Sequence, residues 1–402
     1  MSSLAARAAA RPKLLGTTRL AFRLSWRQLT FEKSRLAAAI AGVVFACLLV
    51  FMQLGFMTAL LDSAGQTQRL LQADLYIVHK KTEALWRTQP FPRARLMQAL
   101  ALPEVEHVAP FYVALAPIRN PETGTTKTIM VFGFDPDSGL MVLPGLTEEA
   151  RAKIRLPDTI LVDERSRPDF GPFKELIERD GQVVTELAGR RVTVAGTIIH
   201  GASFASDGHA ITSETNLLRL VPNRTFGHVD IGGVFLKPGT DVAAAMARLA
   251  PLLADDVMLL DQQGLIDFEQ KYWSTQAPIG FIFGLGVAIG LLVGCVIVYQ
   301  ILFTDISRHI REYATLKAMG YGQGYLRRVV LAESLYLAVL GYIPGWLMAV
   351  GVYALAEAKI FIPMRMDFDK SVLVFGLIFG MCFVSGLLAV RKLKDADPAS
   401  MF

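Results

Sequence analysis

Hydrophobic positions along the chain gather into four long, nearly unbroken runs, at 35–61, 279–304, 329–356 and 371–390. A helix needs about 20 mostly apolar residues to cross a bilayer, and each run reaches that length. Between the first and second runs lies a much more polar block, 62–278, with short patterns of its own. The pattern predicts four transmembrane helices and one large extramembrane domain inserted between the first two.

Short alternating and helical patterns inside the polar block predict an α+β domain. The segments 73–115 and 231–261 each predict strand, helix, strand, and two such units can pair into one split βαβ lobe. The chain between them contains strand-like segments at 129–137, 159–164 and 190–201, with glycine-bearing turns and a short helix at 174–179. A turn-rich stretch follows at 203–216. We therefore expect a second, more β-rich lobe.

Basic residues flank the apolar runs and predict the orientation. The leader 1–34, the loop 305–328 and the tail 391–402 are rich in Lys and Arg, and such segments resist translocation. The block 62–278 has 22 Lys and Arg against 27 Asp and Glu, a net charge of −5 in a chain of net +5. Both termini and the 305–328 loop are expected in the cytoplasm. The large domain and the short loop 357–370 are then expected on the outer side.

The basic residues of the leader are arranged for contact with lipid. Residues 14–31 place Leu15, Phe22 and Trp26 on one helical face and arginines on another, which predicts an amphipathic helix at the bilayer surface. The positive net charge is accounted for by residues beside the membrane, so no nucleic-acid partner is expected. All three cysteines fall within the apolar runs, which leaves none for disulfides in the large domain.

Three glycines, Gly286, Gly290 and Gly294, repeat at intervals of four in the second apolar run. Small residues at that spacing let membrane helices approach closely, so these positions are predicted to pack against another helix. A dinucleotide-binding interpretation fails because the Gly-x-Gly-x-x-Gly spacing is missing.

Candidate catalytic chemistry is sparse. No Gly-x-x-x-x-Gly-Lys-Ser/Thr motif occurs, so ATP and Mg²⁺ are expected to be bound by a partner and no cofactor by this chain. His200 and His209 stand nine apart with no cysteine nearby, which predicts ordinary histidines and no metal site. An enzyme with its site around Ser203, Asp207 and His209 remains a rival hypothesis, to be tested by substitution.

The loop 305–328 is the remaining candidate site. It begins as a charged helix and breaks at Gly320, and the apolar side of that helix has no other part of the chain to pack on. We expect a cytosolic protein to cover it, as a groove covers a helix; the alternative is a helix resting on lipid headgroups. Glu333, one turn inside the third run, is expected to reach the interface or Arg327, which disfavours an ion path.

Residues 272–321 resemble the DevC family of ABC-transporter permeases, which belongs to a larger group with MacB, FtsX and the lipoprotein-releasing permeases. Further matching segments lie at 71–78, 118–124, 131–137, 194–220, 340–345 and 396–398. The resemblance implies a bacterial inner-membrane permease that is not itself an enzyme. It also implies a homodimer that works with a separate ABC ATPase, a periplasmic adaptor and a TolC-like outer-membrane channel.

In such permeases the helix after the second span docks on the ATPase, and ATP-driven motion reaches a porter-like lobe in the periplasm. By position, the resemblance implies an ATPase-coupling role for nine residues: Asp305, His309, Arg311, Glu312, Tyr313, Leu316, Lys317, Met319 and Gly320. The implied function is export of a hydrophobic or amphiphilic, glycolipid-like envelope molecule. The alternative is an FtsX-like regulator that transmits ATPase motion to a periplasmic cell-wall hydrolase.

Overall fold

The computed structural model describes residues 14–201, 206–222, 224–276, 278–319, 321–360 and 364–391. The chain divides into two compact units. The helical unit consists of Met1–Thr58 with Phe281–Phe402, and the extramembrane unit consists of Ala59–Gly280. Ser203, Gly320, residues 1–13 of the predicted leader and residues 392–402 of the predicted tail lie outside the described residues.

The helices of both units are taken in chain order. They are α1 Leu14–Phe31, α2 Lys33–Ala64, α3 Gln66–Leu70, α4 Arg93–Gln98, α5 Glu148–Ile154, α6 Phe173–Asp180, α7 Glu214–Leu220, α8 Val242–Leu249, α9 Gln262–Lys271, α10 Ile279–Arg308, α11 Ile310–Ala318, α12 Gln323–Ile360 and α13 Phe368–Val390. The strands are β1 Leu75–His79, β2 Phe91–Pro92, β3 Val105–Arg119, β4 Thr126–Phe134, β5 Thr159–Asp163, β6 Val183–Leu187, β7 Arg190–Ile198, β8 His209–Ser213, β9 His228–Val229, β10 Ile231–Leu236 and β11 Val257–Asp261.

Within the described part of the chain, four helices, α2, α10, α12 and α13, are long and apolar enough to cross a membrane. This confirms the four apolar helices predicted from the sequence. Each begins before or ends after its predicted apolar run, because helical backbone continues into the flanking polar residues.

The glycine repeat of α10 lies where that helix meets α2 and α13. A Cβ atom on Gly286 would stand 2.5 Å from the Gln53 side chain, and one on Gly294 would stand 2.6 Å from the Ala46 Cβ. Real Cβ atoms do not approach so closely, so a larger residue at Gly294 would force α10 away from α2, whereas at Gly286 the flexible end of the Gln53 side chain can move aside. Gly290 is less tightly placed, since its nearest neighbour, the Leu49 Cβ, is 3.5 Å away.

The second unit is built on one nine-stranded sheet in the order β11-β1-β10-β3-β4-β8-β5-β7-β6. The first four of these strands, all antiparallel to their neighbours, are those predicted as two strand, helix, strand segments. Both faces of the sheet are covered. Leu75 and Ile77 of β1 belong to the core that α4 and α8 help to form, and the alternate residues Tyr76 and Val78 belong to the opposite core.

The strands of the predicted β-rich lobe form no separate sheet. They extend the same sheet, because β3 is 15 residues long and pairs first with β10 and then with β4. The stretch predicted as turn-rich also contains a strand, β8, which lies between β4 and β5 and is buried along its whole length. The helix α7 follows at once, capped by the Ser213 hydroxyl, which accepts from the Asn216 backbone N–H.

Candidate functional site

The segment after α10 changes direction at His309. The helix α10 ends at Arg308, and α11 begins at Ile310. The imidazole Nδ1 of His309 lies 3.1 Å from the Asp305 carbonyl oxygen, and its backbone N–H donates to the same oxygen. The site therefore consists of a short helix joined to the end of a long apolar helix by a one-residue break.

The helix α11 has one buried side and one exposed side. Tyr313 and its neighbour Ala314 are buried, whereas Arg311 and Glu312 are exposed. Met319, directly after the helix, is an exposed hydrophobic residue with 63% of its surface accessible. Leu316 and Lys317 are partly buried. The expectation that the apolar side of α11 has nothing of its own to pack on is wrong, because the Tyr313 ring is fully enclosed.

Ion pairs tie the end of α10 to the start of α2. The Arg35 guanidinium lies 3.4 Å from an Asp305 carboxylate oxygen and 3.0 Å from a Glu32 carboxylate oxygen, and Arg308 lies 3.8 Å from Glu32. The side chains of Arg35 and Asp305 are less than one-fifth exposed, so solvent screens this pair less than a surface ion pair.

A group of polar atoms without partners lies beneath α11. Glu333 is 1% exposed, and neither carboxylate oxygen has a hydrogen-bond partner among the described residues. The Tyr313 hydroxyl and the Gln28 side-chain carbonyl oxygen are also buried and make no hydrogen bond of normal geometry among the described residues, although the Gln28 side chain lies near enough to the Tyr313 hydroxyl to favour its ionised form slightly. All the described orphan side-chain atoms of the helical unit belong to these three residues. The expectation that Glu333 reaches the interface or Arg327 is therefore wrong.

The helices leave a small cavity beside this group. Its lining comes from α1, α2, α10, α12 and the α1 to α2 junction: Gln28, Leu29, Glu32, Arg35, Leu36, Ala39, Ile301, Leu302, Asp305, Glu333 and Leu337. Burial, followed by the negative charges of Glu333 and Asp305, raises the pKa of the Tyr313 phenol well above its ordinary value. Its hydroxyl is therefore a protonated donor, able to pair with an acceptor that moves within reach.

In the extramembrane unit, the structure brings together two histidines that the sequence leaves nine apart. The rings of His200 and His209 have centroids 3.8 Å apart, and Asp163 lies beside them. The two histidines meet in the protein core because β8 and β7 both pair with β5 in the sheet, and the prediction that they bind no metal stays a prediction. Asp207 is exposed and pairs with Arg167 at 2.9 Å, so Asp163, not Asp207, accompanies His209.

Electrostatics in this histidine group follow from burial. Burial lowers the pKa of His200 to about 3, with a further contribution from neighbouring His209. Burial also opposes ionisation of Asp163. The nearby His209 side chain, together with hydrogen bonds from the backbone N–H groups of His200 and Arg165, outweighs it and holds the Asp163 pKa below its ordinary value. The group therefore combines a neutral imidazole with an ionised carboxylate.

Comparison with known proteins identifies the family. The MacB-like periplasmic core domain matches residues 36–252, and the FtsX-like permease C-terminal domain matches residues 279–398. The chain therefore belongs to the MacB/FtsX-like permease superfamily. Together with its four apolar helices, this membership identifies a multi-pass inner-membrane protein of the ABC-transporter permease class.

Individual relatives are distant, and each is matched over only part of its length. The macrolide export ATP-binding/permease protein MacB 1/2 of Paracoccus denitrificans is 24% identical over 62% of this chain and 37% of its own length. The pyoverdine export ATP-binding/permease protein PvdT of Pseudomonas syringae pv. syringae is 28% identical over 36% and 22%. The uncharacterized ABC transporter permease YknZ of Bacillus subtilis is 26% identical over 43% and 45%. The chain thus spans less than half of each of these relatives.

Proposed function

We propose that the chain is the permease subunit of a DevC-like ABC exporter, and that a separate ABC ATPase docks on α11. One observation carries the proposal: α11 has an exposed side with Arg311, Glu312 and the apolar Met319, while Tyr313 anchors its other side in the helical unit. A helix that is anchored on one side and exposes a partly apolar surface on the other can bind a partner protein and move with it.

The direction of coupling is from the cytoplasm outward. The concentration of Lys and Arg in the leader, the 305–328 loop and the tail supports a cytoplasmic position for α11 and both termini, and a periplasmic position for the large domain. ATP and Mg²⁺ are bound by the partner ATPase. No phosphate-binding Gly-x-x-x-x-Gly-Lys-Ser/Thr motif occurs in these 402 residues, which supports that division of labour.

Motion of α11 reaches α12 through the buried polar group formed by Gln28, Tyr313 and Glu333. Leaving a buried polar atom without a partner costs about 1–3 kcal/mol, so a displacement of α11 that pairs the Tyr313 hydroxyl with the Glu333 carboxylate is favourable. The ion pair between Arg35 and Asp305 holds the neighbouring helices together during that displacement. A push on the exposed side of α11 thus selects between two arrangements of the helices, which is the property a switch requires.

We propose that two copies of this permease form a homodimer, which works with a periplasmic adaptor and a TolC-like outer-membrane channel. The exported molecule is hydrophobic or amphiphilic, as a glycolipid is. Two relatives are named for the export of pyoverdine and of macrolides, which supports export over the FtsX-like regulatory alternative. Copurification separates the two: adaptor and channel accompany an exporter, whereas a cell-wall hydrolase accompanies a regulator.

ATP turnover of the reconstituted permease and ATPase tests the docking proposal. The double variant Glu312→Lys with Met319→Asp alters only exposed side chains of the docking side, and we expect permease-dependent turnover to fall at least about tenfold, the equivalent of ~1.4 kcal/mol. The matched control, Glu149→Lys with Val142→Asp, makes the same types of change on exposed positions of the extramembrane unit and should leave turnover unchanged. Equal turnover for all three proteins would refute the docking role of α11.

A further inference from the structure

Three chain segments meet at the group formed by Asp163, His200 and His209. Asp163 is the last residue of β5 and His209 is the first residue of β8, a neighbouring strand. His200 follows β7 by two residues, and β7 pairs with the other side of β5. All three side chains are buried, with at most 2% of their surface accessible. Sheet topology thus gathers two imidazoles and one carboxylate in the interior.

The Asp163 carboxylate is held in a fixed position. One oxygen accepts hydrogen bonds from the backbone N–H groups of His200, at 2.9 Å, and Arg165, at 3.2 Å, and the other accepts from the Gly201 N–H at 3.0 Å. The latter oxygen also lies 3.8 Å from the Nδ1 atom of His209. The first oxygen already accepts two hydrogen bonds, but the oxygen bonded to Gly201 has a second lone pair and can accept a further ligand.

The tautomer of His200 is set by its surroundings. Its Nδ1 lies 2.9 Å from the Gly201 carbonyl oxygen, which can only accept, so Nδ1 carries the proton. The Nε2 atom is then the unprotonated nitrogen, and it accepts a hydrogen bond from the Thr67 hydroxyl at 3.0 Å. An imidazole that donates one N–H to a backbone carbonyl and presents its other nitrogen is the usual arrangement of a histidine bound to a metal.

We propose that Asp163, His200 and His209 form a binding site for one divalent transition-metal ion of the zinc type. One ligand atom from each residue lies within 4.8 Å of the others. Tetrahedral ligands of zinc stand about 3.3 Å apart, so the three side chains need to draw together by roughly 1 Å or somewhat more, with the stacked imidazole rings opening. The Thr67 hydroxyl, bonded to the His200 Nε2 atom, lies beside the site.

The donor atoms determine which ions fit. Two imidazole nitrogens and one carboxylate oxygen suit Zn²⁺ and its first-row neighbours, whereas Ca²⁺ and Mg²⁺ require mostly oxygen ligands. A bound ion would link β5 and β8 with the segment that follows β7. Through Thr67 it would add α3, which already donates from Gln66 to the His200 carbonyl oxygen. The site would therefore stabilise the extramembrane unit, independently of any role of α11.

Zinc binding to the full-length, tag-free protein in detergent tests the proposal. After chelator treatment, titration against a chromophoric competitor and elemental analysis should give one Zn²⁺ per chain, with no comparable binding of Ca²⁺ or Mg²⁺. We expect His200→Ala and His209→Ala each to weaken binding at least about tenfold, with the exposed His228→Ala as the matched control that retains it. Absence of stoichiometric Zn²⁺ from the wild type, or equal losses in all three variants, would overturn the site.

X-ray absorption on the zinc-loaded wild type keeps the proposal testable if the buried variants do not fold. The expected spectrum shows a first shell of nitrogen and oxygen with the scattering pattern of two imidazoles. A shell of oxygen alone, or one containing sulfur, would contradict the assignment. None of these measurements uses ATP turnover, so their result is separate from that of the docking experiment.

Discussion

Each unit of this permease buries a glutamate, and the two are satisfied in opposite ways. Glu269 of the extramembrane unit is 2% exposed and accepts from the Leu85 backbone N–H at 2.7 Å, the Trp273 indole N–H at 3.0 Å and the Gln68 amide at 3.1 Å. Glu333 of the helical unit is 1% exposed and has no hydrogen-bond partner among the described residues. Equal burial therefore conceals different roles.

A buried carboxylate with all its hydrogen bonds holds the surrounding parts of the chain in place. For a buried carboxylate without hydrogen bonds, a rearrangement that supplies a partner is stabilising. Asp230 follows the pattern of Glu269, since it accepts from Arg224, from Thr88 and from the Val113 backbone N–H. A rigid extramembrane unit together with a helical unit that can rearrange is the combination that the proposed transmission of motion requires.

The largest expected effect concerns the pH dependence of Glu269. Burial raises its pKa from 4.5 to about 7 in spite of the Leu85 and Trp273 hydrogen bonds. The folded protein then holds a proton that the unfolded chain has already lost, so stability falls as pH rises from about 4.5 to about 7 and is constant above. The change amounts to about 3 kcal/mol.

Thermal unfolding across this pH range, in parallel with Glu269→Gln, isolates the contribution of the one carboxyl group. The variant is always neutral at this position, so the difference between the two unfolding free energies should grow toward high pH in favour of Glu269→Gln. A difference that does not change with pH would show that Glu269 does not keep its proton.

A smaller pair of effects contrasts two buried tyrosines. The Tyr112 hydroxyl of the extramembrane unit donates to Glu214 at 3.3 Å, whereas the Tyr313 hydroxyl has no partner in the described structure. Tyr112→Phe should lower the free energy of unfolding by about 1 kcal/mol, and Tyr313→Phe should leave it unchanged or raise it by up to about 1 kcal/mol. Thermal unfolding of both variants in detergent measures the contrast. Comparable destabilisation by both would mean that Tyr313 is bonded.

Composition and periodicity predicted the helical unit well because they act locally. Long apolar runs need no tertiary information to be identified as membrane helices, and the two strands predicted within 231–261 occur there as β10 and β11 because their apolar residues are contiguous. The strand β8 was missed because its residues, among them His209 and Thr212, have the composition of a turn. Its central position in the sheet buries them nevertheless.

The candidate sites depend on neighbours that no local pattern encodes. Glu333 was expected at the interface from its depth along the helix alone, but packing by other helices encloses it. Asp163 was missed as the companion of His209 because the order of β5, β7 and β8 in the sheet is a tertiary property. The strand ending in Asp163 was recognisable, and a polar residue at a strand end is the one available signal.

Photocrosslinking in intact cells tests most directly whether an ATPase docks on the exposed side of α11. A photoreactive amino acid replaces Met319, which is 63% exposed, and in a matched variant it replaces Val142 of the extramembrane unit, which is 53% exposed. The account predicts a crosslink from position 319 to a co-expressed ABC ATPase, identified by mass spectrometry of its phosphate-binding peptide, and none from position 142. A crosslink to that ATPase from position 142, or none from position 319, would contradict it.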